Sequence, residues 1–500
     1  MGIIQRQSIK NSLVNYLGVA IGAVSVIFIY PRIGLSDLGT VQFALSMAVL
    51  FAPFASFASS MSALKYYPIF KDEDKSDNGF IFILSLSTLI ASLIFTVLIY
   101  GFRMPISKIF SPKDATIFLN TLHFILIFTV ILSLTNLFIS LASNYNRIVV
   151  PSILQNLLPK ITQPILILLF ASGAISFVTI FKGMTLTLVL GLGGLVLYIF
   201  FLKGSSFFLR KKSGIFTKKI GWEMLSFSAF NLFVVLGSIL SQRVDQLMIA
   251  SKIGYEALAV FGFGFFVSEA IDVPRKAISS IITPILSGSI YSNDMPQVLE
   301  VYRKSALLQL IIGTFLLAGI WACVDSLFDL MPKNGDAFRA GKYVILILGF
   351  SKIADMVTGL NGEIITLSPF FRFNLTSFVT MAVLNAGLNL LLIPKFGIQG
   401  SAAATFISTA GINLWRLFYI QHKMGIQPLQ NKMITVALFG IISWFCASLL
   451  PAQNPPFLNL FLKGGIVSLV FIPAMLFFNV SEEINQIFYD FLKKLKISKN

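Results

Sequence analysis

Charge is scarce in this sequence. Asp, Glu, Lys and Arg make up 12% of its 500 residues, about half the share usual in water-soluble domains, which argues against a folded body with a charged, solvent-facing surface. Cysteine is nearly absent. Cys323 and Cys446 both sit in apolar surroundings, so no disulfide framework is implied. His123 and His422 are the only histidines, and no Cys/His cluster has metal-ligand spacing; a metal-dependent reaction has no visible ligands. There is no G-x-x-x-x-G-K-[ST] phosphate loop, which argues against direct ATP drive. A small-residue cleavage site after the first apolar segment is also missing, so that segment reads as an uncleaved anchor.

What the sequence has instead is apolar length. Hydrophobic residues make up 56% of the chain and the mean hydropathy is +0.85. Stretches of about 20 apolar residues, enough to cross a hydrocarbon core, recur from end to end. They predict an all-α integral membrane protein with about fourteen transmembrane helices, including spans at 39–62, 342–366, 373–393 and 399–421. The breaks hold turn formers or charges, as in Lys71-Asp72-Glu73-Asp74-Lys75, Ser111-Pro112-Lys113-Asp114 and Asn454-Pro455-Pro456. The expected organisation is a six-helix lobe (1–202), a basic cytoplasmic linker (203–222), a second six-helix lobe (223–421), two further helices (433–479) and an amphipathic basic tail (480–500).

A net charge of +17 would suggest nucleic acid in a soluble protein. Here the basic residues fall mostly in short loops, where retention of Lys and Arg on the cytoplasmic side accounts for much of the excess, and no nucleic-acid partner is expected. The linker residues Lys203, Arg210, Lys211, Lys212, Lys218 and Lys219, with Lys493, Lys494, Lys496 and Lys499 in the tail, place both termini in the cytoplasm. Ile484, Ile487, Phe488, Phe491, Leu492 and Leu495 share one helical face, which suits the inner membrane surface. The segment Ile33-Gly34-x3-Leu38-x4-Phe43 recurs as Ile253-Gly254-x3-Leu258-x4-Phe263, and Arg147 is echoed by Arg372 at nearly the same offset. Such echoes favour two structural repeats, between which transporters often place their substrate site.

Three motifs carry a family resemblance. The turn Pro31-Arg32-Ile33-Gly34-Leu35-Ser36-Asp37-Leu38-Gly39 is like an R-x-x-G-x-x-x-x-G hairpin with one residue fewer before its first glycine. Gln242-Arg243-Val244-Asp245-Gln246-Leu247-Met248-Ile249 is similar to an acidic, hydrophobic end of a seventh helix. Pro394-Lys395-Phe396-Gly397-Ile398-Gln399-Gly400-Ser401-Ala402-Ala403-Ala404-Thr405 is like a P-x-x-G-I-x-G-A-A-x-A-T turn into a twelfth helix, with Ser401 at an alanine position. In these features the chain resembles the polysaccharide transporter branch, the O-antigen and lipid-linked oligosaccharide flippases, of the multidrug/oligosaccharidyl-lipid/polysaccharide exporter superfamily. The glycines also have a purely structural use, in tight turns and close helix packing.

The resemblance implies a two-lobe protein that works by alternating access on a lipid-linked glycan. Its cargo would be a sugar or oligosaccharide joined through pyrophosphate to a polyprenol, moved from the inner to the outer leaflet of a bacterial cytoplasmic (inner) membrane. It would act in polysaccharide biosynthesis beside polymerase and glycosyltransferase machinery and would not itself be an enzyme. No cofactor is expected beyond a coupling ion, H+ or Na+.

Ionisable groups inside spans cost on the order of 2.5–3.5 kcal/mol at the bilayer centre and are candidate functional groups until paired away. For the anionic pyrophosphate the cationic candidates are Lys160, Arg243, Arg275 and Lys352, since Arg grips phosphate oxygens bidentately and Lys acts as a point charge. Asp272 with Arg275, and Lys352 with Asp355, are also spaced three apart on one helical face, where each can neutralise its neighbour. Arg243 and Asp245, two apart, diverge on a regular helix. Lys160 either faces the cavity or pairs with Glu269 or Asp355. Ion-coupling candidates are Asp245, Glu269 and Glu363, because burial raises a carboxyl pKa. Two other readings compete: a multidrug/cation antiporter of the same superfamily, and a polytopic glycosyltransferase, polymerase or ligase, which usually needs a larger outer loop than this chain offers.

Overall fold

With no water in the bilayer core, a membrane-crossing backbone must satisfy its own hydrogen bonds, so a chain this apolar has to be helical. The computed structural model describes residues 3–70, 79–145, 147–203, 217–451, 454–483 and 485–486, and among these there is no strand. The charged run at 71–75, the basic residues Arg210, Lys211 and Lys212, and the tail residues Ile484 and 487–500 lie outside the described residues.

The helices are α1 (Ile3–Val24, continued by a π turn to Ile29 and a 3-10 turn to Arg32), α2 (Leu35–Ser56), α3 (Ser59–Phe70), α4 (Phe80–Gly101), α5 (Pro112–Asn144), α6 (Val149–Ala171), α7 (Phe177–Lys203), α8 (Lys218–Lys252), α9 (Tyr255–Tyr291), α10 (Met295–Asp329), α11 (Lys342–Val357), α12 (Asn361–Leu367), α13 (Arg372–Met424), α14 (Lys432–Ser448) and α15 (Pro456–Phe477). Among the described residues eleven helices are long and apolar enough to cross a membrane. The pair α11 and α12, bent by 46°, makes one more. The 53-residue α13 is two spans joined at Gly397, whose φ of 57° and ψ of −135° are not helical, and α14 adds a shorter apolar helix. The total is fourteen, the number that hydropathy alone suggests.

Two expected spans are broken. The span at 39–62 divides at Phe57 and Ala58, both left-handed at φ 49° and 51°. Pro53 lies in the last turn of α2, and its carbonyl accepts from the Ala58 N–H, five residues on. The span at 342–366 bends at Gly359, φ 62°, a conformation that glycine adopts without steric cost.

The described residues form two compact units. Unit 1 runs to Gly262 and takes back Ala382–Ser401 from α13; unit 2 holds Phe263–Met381 and the chain from Ala402 on. In unit 1, α2 is the most buried span, with 72% of its apolar window inside, while α4, the most hydrophobic, has 22%. The inversion has a physical cause: lipid-facing sides need hydrophobicity, whereas a central helix needs small residues to pack closely. Ala44, Ala48, Ala52 and Ala55 are all buried in α2. Tyr67, Phe70, Phe80, Leu137, Leu141 and Ile199 build a core under α3, α4, α5 and α7. In unit 2, α10 packs against α11, α14 and α15, with Leu310, Ile311, Val436, Phe471 and Met475 at the contact.

The repeated motif occupies equivalent places. Gly34 caps the start of α2 and Gly254, at φ 120°, precedes α9; Leu38, Phe43, Leu258 and Phe263 are all buried. Within unit 1 the start of α9 presses on α2, so closely that a Cβ on Gly39 would stand 1.8 Å from the Tyr255 carbonyl oxygen, while the Phe43 and Tyr255 rings lie 5.1 Å apart. Gly39→Val is therefore expected to force the helices apart and lower the apparent melting temperature of the solubilised protein, at a cost on the order of 1–3 kcal/mol. Gly101→Ala, with nothing within 4 Å of the new methyl, should leave the melting curve unchanged, and equal curves for both variants would refute the packing account.

Candidate functional site

Unit 2 gathers most of the intramembrane charge. On α9, Glu269, Asp272, Arg275 and Lys276 follow the spacing of one helical face. Arg275 Nε donates to Asp272 Oδ1 at 2.5 Å and lies 3.2 Å from Asp355 Oδ2 on α11. Lys276 Nζ reaches Glu269 Oε2 at 2.8 Å and Asp272 Oδ2 at 2.9 Å. Lys352, also on α11, donates to Glu269 Oε1. Glu269 is thus held between two ammonium groups, one on its own helix and one across from it. Asp355 additionally accepts from Asn413 Nδ2 at 2.9 Å, and Asn361 Nδ2 donates to Asn413 Oδ1 at 3.0 Å and to Thr358 Oγ1 at 3.1 Å. Glu363 accepts from the Ser279 hydroxyl at 2.6 Å. Arg416 donates to Ser377 Oγ through Nε (3.1 Å) and Nη2 (2.8 Å), and a methyl on Gly362 would lie 3.5 Å from its Nη1.

This network holds four carboxylates and four cations and is neutral as a whole. Its parts differ in access: the Asp272 side chain is 5% exposed, whereas those of Lys276, Glu269 and Lys352 are 56%, 30% and 22% exposed. Arg275, gripped on both sides by carboxylates, fixes α9 against α11. Lys276 and Lys352 share a more accessible carboxylate, that of Glu269.

Unit 1 holds the remaining candidates, Lys160, Arg243 and Asp245. Lys160, on α6, lies along α1 at Gly18, where a Cβ would meet its Cδ at 3.3 Å. Arg243 Nη1 donates to Gln246 Oε1 at 3.3 Å, and the same oxygen accepts from the Ser46 hydroxyl. Asp245, 2% exposed, turns the other way and accepts from Asn389 Nδ2 at 2.8 Å. That nitrogen also faces the Asn385 carbonyl at 2.9 Å and Asn385 Oδ1 at 2.5 Å, and Ser401 donates to Asn389 Oδ1 at 2.7 Å. Three oxygens therefore meet one amide nitrogen that carries two protons. Asn385, Asn389 and Ser401 are fully buried, so this acceptor-rich cluster suits a proton or a small cation. Among the described residues no group of three or more His, Cys, Asp or Glu could hold a metal ion.

Several participants are absent from the sequence-derived set. Lys276 was within reach of it, being four residues from Asp272 and seven from Glu269 on one helical face. Asn385 and Asn389 show the same i, i+4 signal inside an apolar span. Asn361 and Asn413, 52 residues apart, carry no local signal at all.

Breaking a buried ion pair from one side leaves a stranded charge at a cost of about 3–5 kcal/mol. Arg275→Gln, which takes from Asp355 its one paired cation among the described residues while Asp272 keeps Lys276, is expected to lower thermal stability by an amount of that order, and adding Asp355→Asn should recover a substantial part. A double variant no more stable than the single one would show that Arg275 does not act through Asp355.

No protein-family model matches the chain. Over 154 residues it is 28% identical to the probable low-salt glycan biosynthesis flippase Agl15 of Haloferax volcanii, a match covering 30% of this chain and 32% of that protein. The chain spans about a third of the length of the curated relatives it matches. Among solved structures, it superposes on the lipid II flippase MurJ in an inward closed conformation with a TM-score of 0.73 at 15% identity, over 94% of this chain and 99% of that one. An inward-facing multidrug resistance MATE family transporter of the MOP superfamily gives a TM-score of 0.64 at 12% identity, over 84% of this chain and 98% of that one. These neighbours are a flippase and a transporter, not enzymes, and the chain has the fold of the MOP-superfamily transporters, as its motifs imply.

Proposed function

We propose that this protein is a flippase that carries a polyprenyl-pyrophosphate-linked sugar or oligosaccharide from the inner to the outer leaflet of a bacterial cytoplasmic membrane, by alternating access, with both termini in the cytoplasm. The observation that carries the reading is Glu269 held between Lys276 and Lys352. A carboxylate between two ammonium groups stands where a phosphate group would bind, and two compact point charges on separate helices suit the spread charge of a pyrophosphate. Substrate entry then exchanges one anion for another without stranding a lysine in an apolar bundle.

The tail has a matching place in the same unit. An apolar cavity of about 1220 Å3 is lined by Phe350 and Ile353 of α11, with Trp321 and Trp444. α11 thus presents Lys352 to the ion network and apolar residues to this cavity, so one helix serves the charged head and the prenyl chain. The product, displayed on the outer leaflet, would feed a polymerase or a glycosyltransferase in surface polysaccharide assembly. For coupling, the cluster at Asp245 is the favoured site of H+ or Na+, since three oxygens there surround a single amide nitrogen.

In proteoliposomes, the wild-type protein is expected to expose a lipid-linked sugar to an outside-acting glycosidase. Loss of charge-assisted bonds worth about 1.5–3 kcal/mol should slow this at least about tenfold in a Lys276→Ala, Lys352→Ala double variant at equal protein level. Unchanged flipping in the double variant would remove the anion-site reading. Asp245→Asn is expected to abolish acceleration by an imposed Na+ or proton gradient while downhill flipping persists; a retained gradient response would place coupling elsewhere.

A further inference from the structure

The break between α2 and α3 opens a second cavity, wholly within unit 1, of about 390 Å3, at the low end of the range for small-molecule sites. Its walls come from the α2/α3 junction, α4 and the start of α8, and none of its lining residues ionises. Hydroxyls dominate the polar part. Ser62 and Ser228 share a hydrogen bond of 2.7 Å, which uses one of their two protons. Thr88 has a single hydroxyl proton for two acceptors, the Leu84 carbonyl at 2.7 Å and Ser59 Oγ at 2.8 Å. Ser59, itself 6% exposed, directs its own proton to no acceptor among the described residues. The wall therefore keeps two hydroxyl protons and several lone pairs unused, since each hydroxyl offers one donor and two acceptor positions.

Unused buried donors ask for a ligand that accepts, which disfavours a metal cation. The lack of any basic residue in the wall disfavours phosphate. Unused lone pairs beside them ask for a ligand that also donates. A sugar hydroxyl does both, and Phe57, which also lines the cavity and is only partly buried, presents apolar surface for the C–H face of a pyranose ring. We propose that this crevice is a neutral-sugar subsite, held by Ser59, Ser62, Thr88 and Ser228. That the sugar is part of a lipid-linked glycan rests on the flippase reading; that the crevice takes a sugar does not.

The test uses the full chain in nanodiscs and saturation-transfer NMR with free neutral hexoses, 6-deoxyhexoses and N-acetylhexosamines. At least one of these should show saturable transfer, weakened about tenfold by Ser59→Ala with Ser62→Ala, in keeping with the loss of one to two hydrogen bonds, and abolished by Ser228→Leu, which fills the cavity. The polar-to-Ala variant decides the matter if the leucine variant misfolds. Absence of transfer from every sugar, or equal transfer in wild type and in a folded variant, overturns the proposal. Flipping of two lipid-linked sugars that differ only in their first ring separates the two readings. Variants that flip both at wild-type rates and with wild-type preference overturn the subsite and leave the flippase. A wild-type protein that binds free sugar but flips no lipid-linked glycan overturns the flippase and leaves the subsite.

Discussion

The ion pairs around Arg275 set the arrangement of α9, α11 and the second half of α13. A charge in an apolar bundle has to be cancelled where it lies, because neither water nor salt reaches it to screen it. Asp272 and Asp355 approach the guanidinium from two helices, and Asn413 extends the grip to a third by donating to Asp355. The rotation of each helix about its own axis is thereby fixed, for a turn of either α9 or α11 would strand one of the partners. The same cancellation sorts scaffold from working parts. Asp272 is too enclosed to exchange partners, whereas the lysines that share Glu269 retain an open side.

Polar clusters and helix breaks occur together. The hydroxyl crevice lies at the break after α2, the Thr358, Asn361 and Asn413 set at the bend before α12, and Asn389 with Ser401 on either side of Gly397. The coincidence follows from the bilayer's intolerance of unpaired backbone groups. A break frees peptide donors and acceptors, which polar side chains can satisfy, and a helix that is broken anyway can bring those side chains together. The three breaks thus mark where this fold departs from simple spanning and acquires chemistry.

Hydropathy made the number of spans legible, because apolar length is a property of each segment by itself. The P-x-x-G-I-x-G motif even located the turn within α13, since Gly397 takes a positive φ that other residues resist. The break at Phe57 and Ala58 was not legible, for neither residue is a turn former and only Pro53, several residues earlier, hints at it. Partner choice was legible only within a helix. Spacing brings Asp272 to Arg275, as found, but for Lys352 it suggests Asp355, three residues on. Lys352 reaches instead for Glu269, 83 residues away, while Asp355 serves Arg275. Which face a helix turns to its neighbour is settled by packing of the whole unit, and no local pattern encodes that.

Unit 1 is discontinuous, and this has a temporal side. Asp245 precedes Asn389 by 144 residues, which at ordinary elongation speeds of about 5–20 residues per second is a gap of roughly 7–30 seconds. For that interval the nascent chain carries a carboxylate in α8 whose amide partner has not been synthesised. Unit 1 is therefore not finished as one module during membrane insertion: the cluster begun in α8 is closed only when the first half of α13 arrives.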